Sequence, residues 1–370
     1  MQIGVFNISP IFGRDSSVSM KNSFDSEHIS ALKHLIDKHD KIVLTCHVRP
    51  DGDAMGSVLG LYHLLKAIGK KEVSVVIPDS VPHTLDFLPG MKDVAINSKY
   101  ESYCARLVSE AELIIMCDFN TYSRQDKLGA VTQAATCDKV LIDHHLGPDI
   151  DCNVLFSDPA MSSTCELVFR IIASCGYFGV VNKEAATCIL TGIITDTQNF
   201  TVNCNNPEIY EILMRLIEKG ADKNYIINEA VKSISYDALR LKCFALVNKL
   251  QIFERSRCAL ITLSQDELRQ FNYQRGDTEG LVNEPLNIPG VVYSVFMRED
   301  ANCIKVSMRS KFDFPVNLIC QDHFNGGGHL MASGGEFLGS LEECRNIMLE
   351  CMKDYDRYIP SGLPRLVIKS

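Results

Sequence analysis

No two cysteines of this chain stand in CxxC spacing, no apolar run approaches the length of a membrane span, and basic residues are outnumbered by acidic ones. Each shortage excludes something. The 15 cysteines are odd in number and scattered, and several (Cys46, Cys117, Cys188) sit inside apolar runs, where the thiol behaves as a small buried hydrophobe. That pattern speaks against a zinc ribbon or a disulfide framework and for a reducing cytoplasm. With no stretch near the roughly 20 apolar residues that cross a bilayer, a membrane partner is not expected. The opening MQIGVFNISPIFGRDS has no basic start followed by an apolar core, so it is a poor signal peptide. Met20 is an alternative start, which would leave residues 1–19 as a loose extension. Lys and Arg number 37 against 46 Asp and Glu, a net charge of −9. Proteins that grip long duplex DNA usually carry a basic surface, so long duplex DNA is not an expected partner, whereas a short phosphorylated ligand on a local basic patch is.

What the chain does have is room for two domains in 370 residues and an ordinary globular composition, 46% hydrophobic and 22% charged. Apolar residues Ile29, Leu32, Leu35 and Ile36 recur at helical spacing from Ser26 to Asp40. Strand-like runs then follow at 41–46, 73–77, 112–117 and 138–142, alternating with helical patterns at 54–68 and 101–110. Short Val/Ile/Leu runs separated by helices mark a parallel sheet covered on both faces, in which ligands gather beyond the carboxyl ends of the strands.

The polar clusters fall at those ends. HVRPDGDAMGS at 47–57 follows the first run and holds His47, Asp51 and Asp53. Asp118 follows the third, and Asp143-His144-His145 the fourth. Pro-Asp-Gly-Asp is also an ordinary turn sequence, and a lone Asp after a strand is also a helix cap. Three such clusters at equivalent positions point jointly to a metal site, and hard oxygen ligands with histidine suit Mn²⁺ or Mg²⁺. Ser163-Thr164-Cys165-Glu166 has capping-box spacing and predicts a helix start near 164. Lys183–Ile194 reads as helix and runs into Asp196, a fourth candidate ligand that can equally cap a following helix. Residues 206–220 read as another helix, stopped by Gly220, and 223–250 as a helical connection.

The C-terminal part is different. Strands are expected at 259–263, 291–296 and 304–310, and in the last Lys305, Ser307 and Arg309 alternate with Ile304, Val306 and Met308. Gly326-Gly327-Gly328-His329 reads as a glycine loop whose N–H groups converge on an anion. The fold class expected is α/β in two domains, an N-terminal parallel sheet and a smaller C-terminal α/β domain, joined by a helical linker. The boundaries expected are an extension over 1–25, a catalytic domain over 26–222, the linker over 223–255, a substrate-binding domain over 256–357 and a tail over 358–370.

This ordered set, HVRPDGDAMGS, Asp118, DHH at 143–145 and Asp196, resembles the motifs of the DHH phosphoesterase superfamily. VSMRS, GGGH and ASGG resemble the DHH-associated C-terminal domain, and with DTEGLVN at 277–283 the chain looks like the small oligoribonucleases that also act on 3′-phosphoadenosine-5′-phosphate. The resemblance spans about residues 27–357. It implies one divalent ion on His47, Asp51 and Asp118 and a second on Asp53, Asp118, His144 and Asp196, with Asp118 bridging. It also implies that His145 faces the phosphate, that Asp143 orients the histidines, and that Arg309, Ser310, Gly326, Gly327, Gly328 and His329 hold the substrate. The cofactor expected is a pair of divalent ions, Mn²⁺ before Mg²⁺, and the partners are short RNA oligonucleotides or phosphorylated nucleotides; the oligomeric state stays open between monomer and homodimer. The resemblance leaves three rivals: hydrolysis of linear or cyclic dinucleotide signals, pyro- or polyphosphate hydrolysis, and a non-catalytic nucleotide-binding module. The manganese pyrophosphatases share the first-domain ligands but lack GGGH, which lowers the second.

Overall fold

A computed structural model describes residues 24–366. Residues 1–23 of the extension expected over 1–25, with the question of Met20, and the last four residues of the tail lie outside the described residues. The chain forms two compact units that meet in sequence at Ser233 and Ile234.

The first unit opens with α1 (Ser26–Lys38), capped by the Asp25 carboxylate, which accepts from the His28 N–H. It continues β1 (Lys41–Thr45), α2 (Gly52–Ala67), β2 (Glu72–Ile77), β3 (Ala95–Ile96), α3 (Glu101–Ser109), β4 (Leu113–Cys117), α4 (Lys127–Ala134), β5 (Asp138–Asp143) and β6 (Val154–Ser157). It closes with α5 (Thr164–Ser174), α6 (Lys183–Asp196), α7 (Glu208–Glu218) and the short α8 (Lys223–Ile226). The six strands are parallel, in the order β3-β2-β1-β4-β5-β6. Alternate residues serve opposite faces, as strand geometry requires. Ile42, Leu44, Ile115 and Ile142 pack beneath α2, α5 and α6, while Val43, Ile114, Met116 and Leu141 pack against α3 and α4. Crossovers leave β1 and β4 in opposite directions, which makes the gap between those two strands the topological switch point.

Within the layer above the sheet, α2 is buried almost all round. Gly52, Gly56 and Gly60 recur every fourth residue and form a stripe against α6: a Cβ on Gly52 would strike Thr195, and one on Gly56 would sit 2.5 Å from the Cys188 carbonyl oxygen. Glycine there is a requirement of close backbone approach. Because Gly52 meets Thr195 while Gly60 meets Ile189, the helices run antiparallel, and the start of α2 lies beside the end of α6.

Where one helical connection over 223–250 is expected, α8 runs into a π-helical turn (Ile227–Val231) and the helix then breaks at residues 232–235. The reason is local. The Ser235 hydroxyl accepts from the Ala238 N–H and starts a new helix, α9 (Tyr236–Phe244), which ends in a second π-helical turn, Ala245–Lys249.

The second unit adds β7 (Gln251–Phe253), β8 (Cys258–Leu263), α10 (Gln265–Gln270), β9 (Tyr293–Glu299), β10 (Ile304–Ser310), α11 (Val316–His323), β11 (Gly327–His329), β12 (Ala332–Phe337) and α12 (Leu341–Cys351). They build one mixed sheet, β11-β12-β10-β9-β8-β7, in which only β8 and β9 pair in parallel. Its main core joins Val306 and Met308 to Ile319 of α11 and Met348 of α12. The expected α/β class with two sheets is therefore what the chain forms. The GGGH segment is a correction: Gly327-Gly328-His329 are an edge strand hydrogen-bonded to β12, not an open loop. A Cβ on Gly326 would overlap Gly334, and one on Gly328 would lie 2.7 Å from the Ala332 oxygen, so these glycines serve the tight hairpin. Among the described residues no helix is long and apolar enough to cross a membrane.

Candidate active site

The switch point brings the three strand-end clusters together. His47 follows β1, Asp118 follows β4, the neighbouring strand, and Asp143 ends β5, next again. The start of α2 contributes Asp51 and Asp53, and the end of α6 contributes Asp196. Asp196 is therefore the last residue of its own helix and caps no other.

Asp118 lies at the centre, 2% exposed. Its Oδ2 is 3.3 Å from His47 Nε2, and its Oδ1 is 3.8 Å from His144 Nε2 and 3.7 Å from His145 Nδ1. His47 Nε2 also lies 3.9 Å from Asp51, and His144 Nε2 lies 4.0 Å from Asp53 and 3.6 Å from Asp196. His47, Asp51 and Asp118 form one group whose ligand atoms all fall within 4.8 Å of one another; Asp53, His144 and Asp196 form another. The backbone of Asp118 is left-handed, φ 66°, with its N–H donating to the Ile142 carbonyl at 3.0 Å. Such a conformation costs a non-glycine residue about 1 kcal/mol or more and is held by its surroundings.

The donor set fits divalent cations. His47 Nδ1 lies 2.8 Å from the Val48 carbonyl and His144 Nδ1 lies 3.3 Å from the Met161 carbonyl. A proton on each Nδ1 satisfies those carbonyls and leaves the Nε2 lone pairs turned to the carboxylates, the arrangement that prepares imidazole for a metal. Four carboxylates and two such imidazoles, with no thiolate, make a hard ligand set.

Electrostatics describes the same strain on charge. Burial works against a charged His47, yet the hydrogen bond and charge of Asp118 outweigh it and raise its pKa to about 9. Burial likewise opposes charge on His144, and Asp53, Asp118 and Asp196 push it up to about 9. Asp53 is raised to about 7, by burial first and the Asp118 charge second, and Asp196 is raised well above the carboxylate range by burial and Asp53. Asp118 is lowered although burial alone would raise it, because His47, His144 and His145 surround it. Crowded carboxylates that must otherwise retain protons are what a bound cation relieves.

Asp143 is fully buried, and its Oδ1 lies 2.7 Å from His145 Nδ1, which fixes that ring. Asp51 does two things at once: besides facing His47, its Oδ1 accepts from the Asp53 and Ala54 N–H groups as the N-cap of α2, so PDGD is a helix start and not a free-standing turn.

Three contributions escaped sequence reasoning. Thr164 N–H and Cys165 N–H both donate to the Asp53 carboxylate, at 2.7 and 2.9 Å, and the Thr164 hydroxyl donates to Asp118 Oδ1 at 2.9 Å. The start of α5 thus grips two candidate ligands. Gln125 is fully buried and donates to the Thr45 hydroxyl and the Cys46 carbonyl, bracing the strand end that presents His47. The capping spacing at 163–166 was visible, and Ser163 does cap α5. The reciprocal arm is diverted, because Glu166 accepts instead from Ser162 and from Arg170.

In the second unit Arg309 lies on the half-buried face of β10 with Lys305 and Ser307. Its guanidinium donates to the Met308 carbonyl, and burial lowers its pKa while Glu279 opposes that shift. Ser310 is placed differently from Arg309. It stands on the opposite, core face, and its hydroxyl donates to the Phe314 carbonyl at 2.6 Å. Within DTEGLVN, Asp277 accepts from the Gln274 N–H and the Thr278 hydroxyl lies 3.3 Å from Arg298, both local structural contacts.

Comparison with known proteins supplies the remaining findings. Residues 41–193 match the DHH family, N-terminal domain, and residues 258–354 match the DHHA1 domain. The bifunctional oligoribonuclease and PAP phosphatase NrnA of Thermus thermophilus is 30% identical over 315 residues, 85% of this chain and 89% of that protein. The cyclic-di-AMP phosphodiesterase GdpP of Bacillus subtilis is 24% identical over 351 residues, 90% of this chain but 50% of that longer protein. The crystal structure of an exopolyphosphatase-related protein from Bacteroides fragilis is 42% identical, superposes with a TM-score of 0.89, and covers 92% of this chain and 99% of that one.

Proposed function

The chain belongs to the DHH family of ester-bond hydrolases, and from that premise we propose that it cleaves short oligoribonucleotides to mononucleotides and removes the 3′-phosphate of 3′-phosphoadenosine-5′-phosphate. The observation that carries this reading is a pair of His/carboxylate groups, His47-Asp51-Asp118 and Asp53-His144-Asp196, with Asp118 within 4 Å of both histidines. We assign the first group to one divalent ion and the second to another, with Asp118 shared, and we favour Mn²⁺ over Mg²⁺. A pair of such ions supplies an activated water and shields the charge of a phosphate ester during in-line displacement.

The chain's own residues do the rest. His145, oriented through Nδ1 by Asp143, is assigned to the phosphate. Asp143 holds that ring in one orientation throughout, as carboxylates behind metal-site histidines do. Arg309, whose guanidinium is half-buried and bonded to a carbonyl rather than a carboxylate, is assigned to a substrate phosphate, with His329 and the edge-strand backbone of Gly327 and Gly328 given the same role, the Gly326 N–H being taken by the Cys320 carbonyl. Such anchors bind a defined phosphate and thereby favour short chains over long ones. We place the activity in the cytoplasm, a reading supported by 15 free cysteines and no disulfide among the described residues.

A second reading, hydrolysis of linear or cyclic dinucleotide signals, is favoured by the 90% of the chain that aligns with the cyclic-di-AMP phosphodiesterase. One panel separates the two. Purified protein with Mn²⁺ is given RNA of increasing length from the dinucleotide upward, the 3′,5′-bisphosphate, and cyclic di-AMP. The first reading expects turnover to fall steeply with length, with the bisphosphate cleaved and the cyclic dinucleotide poor. Equal turnover of dinucleotide and long RNA defeats the short-substrate claim, and cyclic di-AMP as the best substrate transfers the assignment to the second reading.

A further inference from the structure

We propose that Thr164 is a positioning residue of this site: its hydroxyl sets the rotation of the Asp118 carboxylate so that the two oxygens serve different ions. The inference rests on the two-ion reading above and adds to it the group that makes sharing possible.

A carboxylate that would serve two ions, one through each oxygen, needs its two oxygens held toward different ligand groups. In this structure Asp118 Oδ2 faces His47 at 3.3 Å, and Oδ1 faces His144 at 3.8 Å. The donor that distinguishes the two oxygens is Thr164, whose hydroxyl donates to Oδ1 at 2.9 Å from a fully buried position. The same residue's N–H, with that of Cys165, holds both oxygens of Asp53. One residue therefore fixes a carboxylate of each ligand group, and a displacement of its backbone would move both.

The helix that carries Thr164 is itself fastened. The Ser163 hydroxyl accepts the Glu166 N–H, Glu166 accepts from Ser162 on one side and Arg170 on the other, and Arg170 also donates to Glu208 at the start of α7. Arg170 is 4% exposed, so this ion pair is a buried anchor rather than a surface contact. A rigid support behind ligands is what holds a metal site to its geometry, and losing one supporting contact typically costs about 10–100-fold in metal affinity.

The test compares Thr164→Val, which keeps the shape and removes the donor, with Thr164→Ser, which keeps the donor. Mn²⁺ titration calorimetry on protein stripped of metal reads the effect without relying on turnover. Thr164→Val should weaken at least one Mn²⁺ by about 10–100-fold, and Thr164→Ser should stay within about threefold of the wild type, since the hydrogen bond is retained. Wild-type affinity in Thr164→Val overturns the inference, and so does an equal loss in both variants, because Thr164→Ser keeps the donor and its loss would show that the hydroxyl does not decide the affinity. If Thr164→Val does not fold, Thr164→Ala replaces it, and since alanine differs from serine only by the hydroxyl the same comparison with Thr164→Ser applies. Asp118→Ala runs alongside as the control for the parent reading. If that variant binds two Mn²⁺ ions like the wild type, the two-ion assignment itself is wrong; if it loses them while Thr164→Val does not, only the role of Thr164 falls.

Discussion

Gly56→Ala is the most informative single change away from the charged residues. On an isolated helix the substitution would stabilise by about 1 kcal/mol, because alanine loses less backbone freedom than glycine. Here the added Cβ would lie 2.5 Å from the Cys188 carbonyl oxygen and 3.0 Å from the Gly192 nitrogen, both backbone atoms of α6, and 2.8 Å from Cys165 Sγ. No rotamer change moves a facing backbone aside. Overpacking of this kind costs about 1–3 kcal/mol, so the net expectation is a loss of up to about 2 kcal/mol. For a unit of this size that is a fall in melting temperature of up to about 4–8 °C, at about 2–4 °C per kcal/mol. The functional effect should be the larger. α2 carries Asp53 and α6 carries Asp196, and both stand within 4.0 Å of His144. Sites of this kind tolerate displacements of about 0.5 Å, and a misplacement of about 1 Å costs about 100-fold in rate. The assay is a thermal melt together with Mn²⁺-dependent dinucleotide cleavage, with Gly179→Ala, where a Cβ meets nothing within 4 Å, as the neutral partner. A Gly56→Ala protein stabilised by about 1 kcal/mol with full turnover would refute the claim that this stripe sets the spacing of the site.

Other expectations follow from single contacts. Arg170→Met should cost about 3–5 kcal/mol in a chemical denaturation, because it strands the buried Glu166 carboxylate, and adding Glu166→Gln should recover a large part of that loss. Arg309→Ala should raise KM for the 3′,5′-bisphosphate by at least tenfold, the smaller end of what a hydrogen bond to a charged group is worth at about 1.5–3 kcal/mol, with Mn²⁺ affinity unchanged. Ser310→Ala, on the core face of the same strand, should leave KM as it is and show its effect in the melt.

Much of the first unit was legible because its strands are buried on both faces. LIIMC and KIVLT are almost wholly apolar, and only a covered parallel sheet uses such runs. Strand-end placement locates His47, Asp118 and Asp143 from the sequence alone. Short or mixed segments were not legible: Ala95–Ile96 and Val154–Ser157 carry too few residues for a period to emerge. GGGH reads as a loop because consecutive glycines let N–H groups converge on an anion, whereas here the missing side chain is what lets β11 lie against β12. The break at 232–235 has no proline or glycine to announce it; a serine cap does the work. Thr164 shows the opposite failure. Its capping pattern is visible in the sequence and sufficient as a local explanation, while its contacts to Asp53 and Asp118, 111 and 46 residues away, leave no local signal.

Sharing of Asp118 between two ions is tested most directly by native mass spectrometry of the Mn²⁺-loaded protein, with dinucleotide turnover measured on the same samples. Wild type should carry two Mn²⁺ ions and cleave. Asp118→Ala should fold, carry at most one, and lose turnover by several orders of magnitude. Two bound ions with wild-type-like cleavage in Asp118→Ala would contradict it.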